Sequence, residues 1–83
     1  MFIQERKKVK EKKLKIGEVA KLSDELPSTI RWWTSQGLLT VVDKTKGGLF
    51  LYPENAVETA RAIRKMQQEQ RMKIEEIKAV LNG

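Results

Sequence analysis

The chain has 83 residues, a formal net charge of +6, 40% hydrophobic and 34% charged residues, and neither Cys nor His; that size suits one small domain. The missing thiols and imidazoles exclude a zinc finger, a thiolate nucleophile, a Ser-His-Asp triad and a disulfide framework. No apolar run approaches the roughly 20 residues that span a bilayer and no apolar h-region follows the N-terminal charges, so a soluble, cytoplasmic protein without membrane contact is expected.

The charge is unevenly placed. Residues 1–15 contain seven Lys or Arg against Glu5 and Glu11, whereas residues 16–83 contain ten basic and nine acidic side chains. Residues 1–13 pair dense like charge with few large apolar groups, which predicts a flexible basic arm, either a solvated tail or a phosphate-contacting one. The folded domain is expected over residues 14–83, nearly neutral in itself.

From Leu14 the pattern becomes periodic. Ile16, Val19, Ala20 and Leu22 fall at helical spacing, Glu18 suits a first turn, and Ser23-Asp24 ends a short helix over about 16–22. Pro27 suits the first turn of a second helix that runs to Gln36 and is closed by Gly37. Two β-prone runs, Leu38–Val42 and Leu49–Tyr52, flank the polar Asp43–Gly48 and predict a β-hairpin. Pro53-Glu54-Asn55 opens a third helix with an apolar face of Ala56, Val57, Ala60, Ile63 and Met66. Met72, Ile74, Ile77, Val80 and Leu81 predict a fourth over about 74–81. The order helix, helix, hairpin, helix, helix describes a mainly α winged helix-turn-helix with a small β-hairpin wing.

On the second helix, Leu26, Ile30 and Trp33 share one face and Ser28, Arg31, Trp32 and Ser35 the other. Trp33 is therefore expected in the core and Trp32 at the surface. An exposed indole beside a guanidinium and two hydroxyls suits a sugar-phosphate backbone, and Arg31 suits bidentate contact with phosphate or guanine. Packing of Trp32 under the hairpin or the arm is the alternative. Lys44 and Lys46, assigned to the hairpin tip, are either phosphate contacts or solubilising charges. Glu75 and Glu76 are adjacent on a helix and point apart, so they form no acid-base dyad, and no enzyme, metal or cofactor is expected.

Taken in order, Ile16-Gly17-Glu18-Val19-Ala20-Lys21-Leu22, Thr29-Ile30-Arg31-Trp32-Trp33, Gly37-Leu38-Leu39, Gly48-Leu49-Phe50-Leu51-Tyr52 and Ile74-Glu75-Glu76-Ile77 resemble the DNA-binding domain of the MerR family of bacterial transcriptional regulators, over about residues 14–82. The resemblance implies double-stranded DNA as partner, the second helix in the major groove, the wing on the backbone, and a homodimer on two half-sites. Carried over by position, Gly17, Ser28, Thr29, Arg31 and Trp32 become the DNA-contacting set, joined by Ser35, Lys44 and Lys46 from the residue reading. Three segments depart from the pattern that the resemblance implies: Phe50 replaces a wing-strand arginine, Trp32-Trp33 replace two tyrosines, and Asp24-Glu25-Leu26 place two negative charges in the turn. Neither a long coiled-coil helix nor an effector domain is expected in this chain, and hence no small-molecule effector site. A protein-interaction module and an excisionase-like or architectural DNA-binding protein are the alternatives.

Overall fold

A computed structural model describes residues 12–82. The elements are β1 (Lys13–Lys15), α1 (Ile16–Ser23), α2 (Pro27–Ser35), β2 (Asp43–Lys44), β3 (Phe50–Pro53), α3 (Ala56–Glu69) and α4 (Ile74–Asn82). The three strands form an antiparallel sheet in the order β1-β3-β2, with Leu14 opposite Tyr52 and Lys44 opposite Phe50. The four expected helices are all present, and the architecture is the winged helix-turn-helix predicted from the sequence. The proposed arm lies outside the described residues except for Lys12 and Lys13, and Lys13 is a member of β1.

Two local conformations set the helix-turn-helix. Asp24 takes the left-handed conformation (φ 62°) that ends α1, and the Glu25 N–H donates to the Ala20 carbonyl at 2.8 Å; Asp tolerates this region better than most residues with a side chain. Pro27 then starts α2, where a missing N–H costs no helical hydrogen bond. At the other end of α2, Gly37 has φ +83°, and a Cβ there would stand 3.0 Å from Lys78 Nζ. The left-handed backbone conformation therefore favours glycine at this position, while the Lys78 side chain is a flexible neighbour that can shift aside.

One core joins all the layers. Val19 and Ala20 of α1, Ile30 and Trp33 of α2, Tyr52 of β3, Ile63 of α3 and Ile77 of α4 are buried together. The Tyr52 hydroxyl, inside this core, meets Thr34 Oγ1 at 2.7 Å, and Thr34 Oγ1 donates to the Ile30 carbonyl at 2.7 Å. Because the single Thr34 proton goes to Ile30, Tyr52 is the donor of the pair, and the sheet is pinned to α2 by this bond. Tyr52→Phe should lower stability by about 0.5–1.5 kcal/mol in chemical denaturation, with no change in the denaturant slope. A larger loss would mean that the phenol does more than donate to Thr34.

The structure corrects four sequence expectations. Leu38–Val42 is not a strand. Leu38 and Leu39 are apolar because they turn from α2 into the core, and ladder pairing begins only at Asp43, after a Val42 N–H bond to the Leu51 carbonyl. β1 was not foreseen: Lys-Leu-Lys alternates as an edge strand should, with only Leu14 buried. Leu22, Leu26 and Val80, assigned to apolar faces, are exposed, Leu26 at 67%; Leu22 and Val80 lie outside the narrow stripe that a short helix buries, and Leu26 stands at the N-cap ahead of α2. Lys44 belongs to β2 and not to the wing tip, which is closed by Thr45 through bonds with Leu49 and Gly48.

Candidate nucleic-acid interface

Helix α2 has two sharply different sides. Ile30 and Trp33 are buried, Trp33 at 1% exposure, while Ser28, Arg31, Trp32 and Ser35 are all exposed, Trp32 at 53%. At 100° per residue these four fall within one arc of about 100°, so they form one continuous surface. Thr29 stands on its flank and is half-buried. The Ser35 hydroxyl donates to the Trp32 carbonyl at 2.7 Å, which ties up its proton, while Ser28, Arg31 and the Trp32 indole N–H have no hydrogen-bond partner among the described residues.

The back of α2 is held by charge as well as by packing. Arg64 of α3 forms a two-pronged bond with Glu25, Nε to Oε2 at 2.8 Å and Nη2 to Oε1 at 2.6 Å, and its guanidinium lies 5.4 Å from the Trp33 ring centroid. The bond to Glu25 raises the Arg64 pKa above its ordinary value, against a smaller opposing effect of burial. Glu25, with a side chain only 8% exposed, is thus a neutralised member of the scaffold. Of the two negative charges expected in the turn, Glu25 is thus paired with Arg64 and Asp24 is exposed. Arg61 reinforces the same corner by donating to the Leu22 carbonyl at 2.8 Å, at the C-terminal end of α1.

The wing carries its charges in a fixed pattern. Lys13 Nζ reaches Asp43 Oδ2 at 2.9 Å across β3, and this bond, with the Lys44 N–H, holds the Asp43 carboxyl below its ordinary pKa. Lys44 Nζ lies 5.6 Å from the Phe50 ring centroid, so Phe50, where the resemblance implies an arginine, holds a cation on the same strand pair. Lys46 is exposed within the turn that Thr45 closes. Gly17 is exposed near the start of α1 with open space where a Cβ would project. The neighbouring Glu18 accepts the Lys15 N–H at 2.8 Å and places a carboxylate at that helix start, which opposes an anion there.

The structure therefore brings Ser28, Arg31, Trp32 and Ser35 together on α2 and sets Lys44 and Lys46 on the wing. Sequence reasoning missed the Glu25–Arg64 and Lys13–Asp43 pairs because their partners are 39 and 30 residues apart and no local periodicity links them. Among the described residues no group of His, Cys, Asp or Glu is arranged to hold a metal ion, and no helix is long and apolar enough to cross a membrane.

Comparison with known proteins gives the same fold. The model of the MerR HTH family regulatory proteins matches residues 14–83. The HTH-type transcriptional regulator ZntR of Escherichia coli (strain K12) is 35% identical over 54 residues, which cover 65% of this chain and 38% of ZntR. The transcription regulator PbrR691 of Ralstonia metallidurans CH34 superposes with a TM-score of 0.73 at 33% identity, over 83% of this chain and 53% of that one. HiNmlR, a MerR family regulator lacking the sensor domain and solved bound to promoter DNA, has a TM-score of 0.67 at 15% identity, over 86% of this chain and 56% of its own, a likeness of fold alone. The chain thus spans little more than a third of ZntR and about half of each structural neighbour. With the family model matched across the whole folded region, the chain belongs to the MerR family of HTH regulatory proteins.

Proposed function

We propose that this chain binds double-stranded DNA as the DNA-binding part of a MerR-type transcriptional regulator, with α2 in the major groove and the wing along the backbone. The exposed Ser28-Arg31-Trp32-Ser35 surface carries the reading: it is the outward face of the second helix of a helix-turn-helix, whose inward face is locked by Trp33. Arg31 supplies bidentate donors for guanine or phosphate, Ser28 a hydroxyl at the helix start, and Lys44 and Lys46 point charges for flanking phosphates. Thr29 contributes from the flank and Ser35 by supporting the Trp32 carbonyl, whereas Gly17, expected in the contact set, lies beside the Glu18 carboxylate and is left out of this reading. The seven basic residues before Ile16 add sequence-independent affinity. The site performs recognition and no chemistry, its setting is the cytoplasm, and a homodimer on paired half-sites follows the family pattern.

A second reading, a protein-interaction surface, is favoured by the exposed Leu26 and Trp32. Salt separates the two. Binding of fluorescent random-sequence duplex to a chain that starts at Lys12, without the four basic residues before it, should weaken steeply between about 50 and 200 mM salt if the folded surface contacts several phosphates, whereas an apolar protein interface has no such slope and the shortened chain would not bind the duplex. On a selected duplex, Arg31→Ala should cost about 1–3 kcal/mol of specific binding, and Lys46→Ala should reduce the salt slope by about one, both with unchanged melting. Equal affinity of Arg31→Ala and wild type at matched salt would remove Arg31 from the interface.

A further inference from the structure

We infer that Trp32 is a specificity-determining residue that reads the C5-methyl group of a pyrimidine in the major groove, an inference that rests on the DNA-binding reading above. Trp32 is the one large apolar group on the exposed face of α2, flanked by Ser28 and Ser35 one turn to either side and by Arg31. Its ring offers a single N–H donor and no acceptor. The base edges of the major groove present hydrogen-bonding groups and one apolar feature, the methyl at C5 of thymine. An indole pressed against base acceptors and amino groups would strip them of water and return at most one hydrogen bond, which is costly. Against a methyl group the same ring is desolvated without that cost.

The placement of neighbouring groups supports a base contact over a backbone one. Arg31 and Ser28 are uncommitted and occupy the same arc as Trp32, so the polar readers and phosphate contacts surround the indole, and the indole stands between Ser28 and Ser35 along the helix. The Ser35 hydroxyl is turned onto the Trp32 carbonyl at 2.7 Å, so it has no proton left to donate to a base acceptor beside the ring. The backbone of α2 under Trp32 is braced by Trp33, one residue on and buried, and by the Arg64 guanidinium over the Trp33 ring, which fixes the direction in which the indole leaves the helix.

The shared chemistry is the C5-methyl group, which thymine carries by sequence and cytosine only when methylated. The test uses the 83-residue chain. Preferred duplexes are selected from a randomised pool, and affinity is measured by fluorescence anisotropy with each thymine of the footprint replaced in turn by deoxyuridine and each cytosine by 5-methylcytosine, for wild type and Trp32→Ala. Loss of one well-buried methyl corresponds to about a four-fold loss of affinity. We expect that loss at one or two thymines for wild type and less than two-fold for Trp32→Ala. A comparable gain for wild type alone at a single 5-methylcytosine would also support the inference and would assign the methyl to modified cytosine. Uniform insensitivity to both replacements, or equal sensitivity in Trp32→Ala, overturns it and places the ring on the sugar-phosphate backbone. Binding with no selected sequence overturns it as well, while failure to bind any duplex removes the DNA-binding reading itself.

Discussion

Trp33→Ala should destabilise the fold by about 3–5 kcal/mol, whereas Trp32→Ala should change stability by less than about 0.5 kcal/mol. The two indoles are adjacent in sequence, and burial alone separates them: Trp33 is 1% exposed and Trp32 53%. Removing Trp33 opens a cavity where α2 meets the rest of the core, and it removes the ring over which the Arg64 guanidinium lies at 5.4 Å. A domain of this length has roughly 4–12 kcal/mol to lose, so the variant is expected to be partly unfolded at 37 °C or to melt at least about 12 °C lower. Thermal melting followed by far-UV circular dichroism measures both variants. A melting curve for Trp33→Ala that overlays wild type would mean that α2 is rotated about its axis and that Trp32 is the buried ring.

The same pair shows how far the sequence could be read. Helical spacing assigned Trp33 to the core and Trp32 to the surface because a period of 3.6 residues is a property of α2 alone. The caps at Asp24, Pro27 and Gly37 were legible for the same reason, each being a local conformational preference. Non-local features were not. The Leu38-Leu39 pair has the composition of a strand, yet its residues are apolar because they enter the core beneath α2. β1 is a three-residue edge strand whose pairing depends on Tyr52, 38 positions away. Leu26 shares the helical phase of Ile30 and Trp33 but stands at the N-cap, beyond the reach of α1, and is therefore exposed. Of the interface, the face of α2 was visible in the sequence, while the ion pairs that brace it and the cation over Phe50 depend on contacts that only the assembled fold creates.

Arg64→Ala should be the second costly substitution, at about 2–4 kcal/mol, because it leaves the Glu25 carboxylate in place without its partner. Breaking a buried pair from one side costs more than the pair contributes, since the remaining charge keeps its desolvation penalty. Glu25 is the buried member at 8% side-chain exposure, whereas Arg64 is 37% exposed, so solvent screening lowers the figure from the fully buried range. The loss of the cation from the face of Trp33 adds to it. A double variant, Glu25→Leu with Arg64→Met, removes both charges while keeping apolar volume, and it should recover most of the stability lost by Arg64→Ala. Glu25 lies in the turn that leads into Pro27, so the pair also fixes the angle at which α2 leaves α1. The double variant should therefore fold yet bind a selected duplex more weakly, with an unchanged salt slope, because phosphate contacts are retained while the alignment of Arg31 and Trp32 relaxes. Chemical denaturation of the three chains beside duplex binding at two salt concentrations measures each part. Full stability of Arg64→Ala would show that Glu25 is readily hydrated, and wild-type affinity of the double variant would show that packing around Trp33 alone orients the recognition surface.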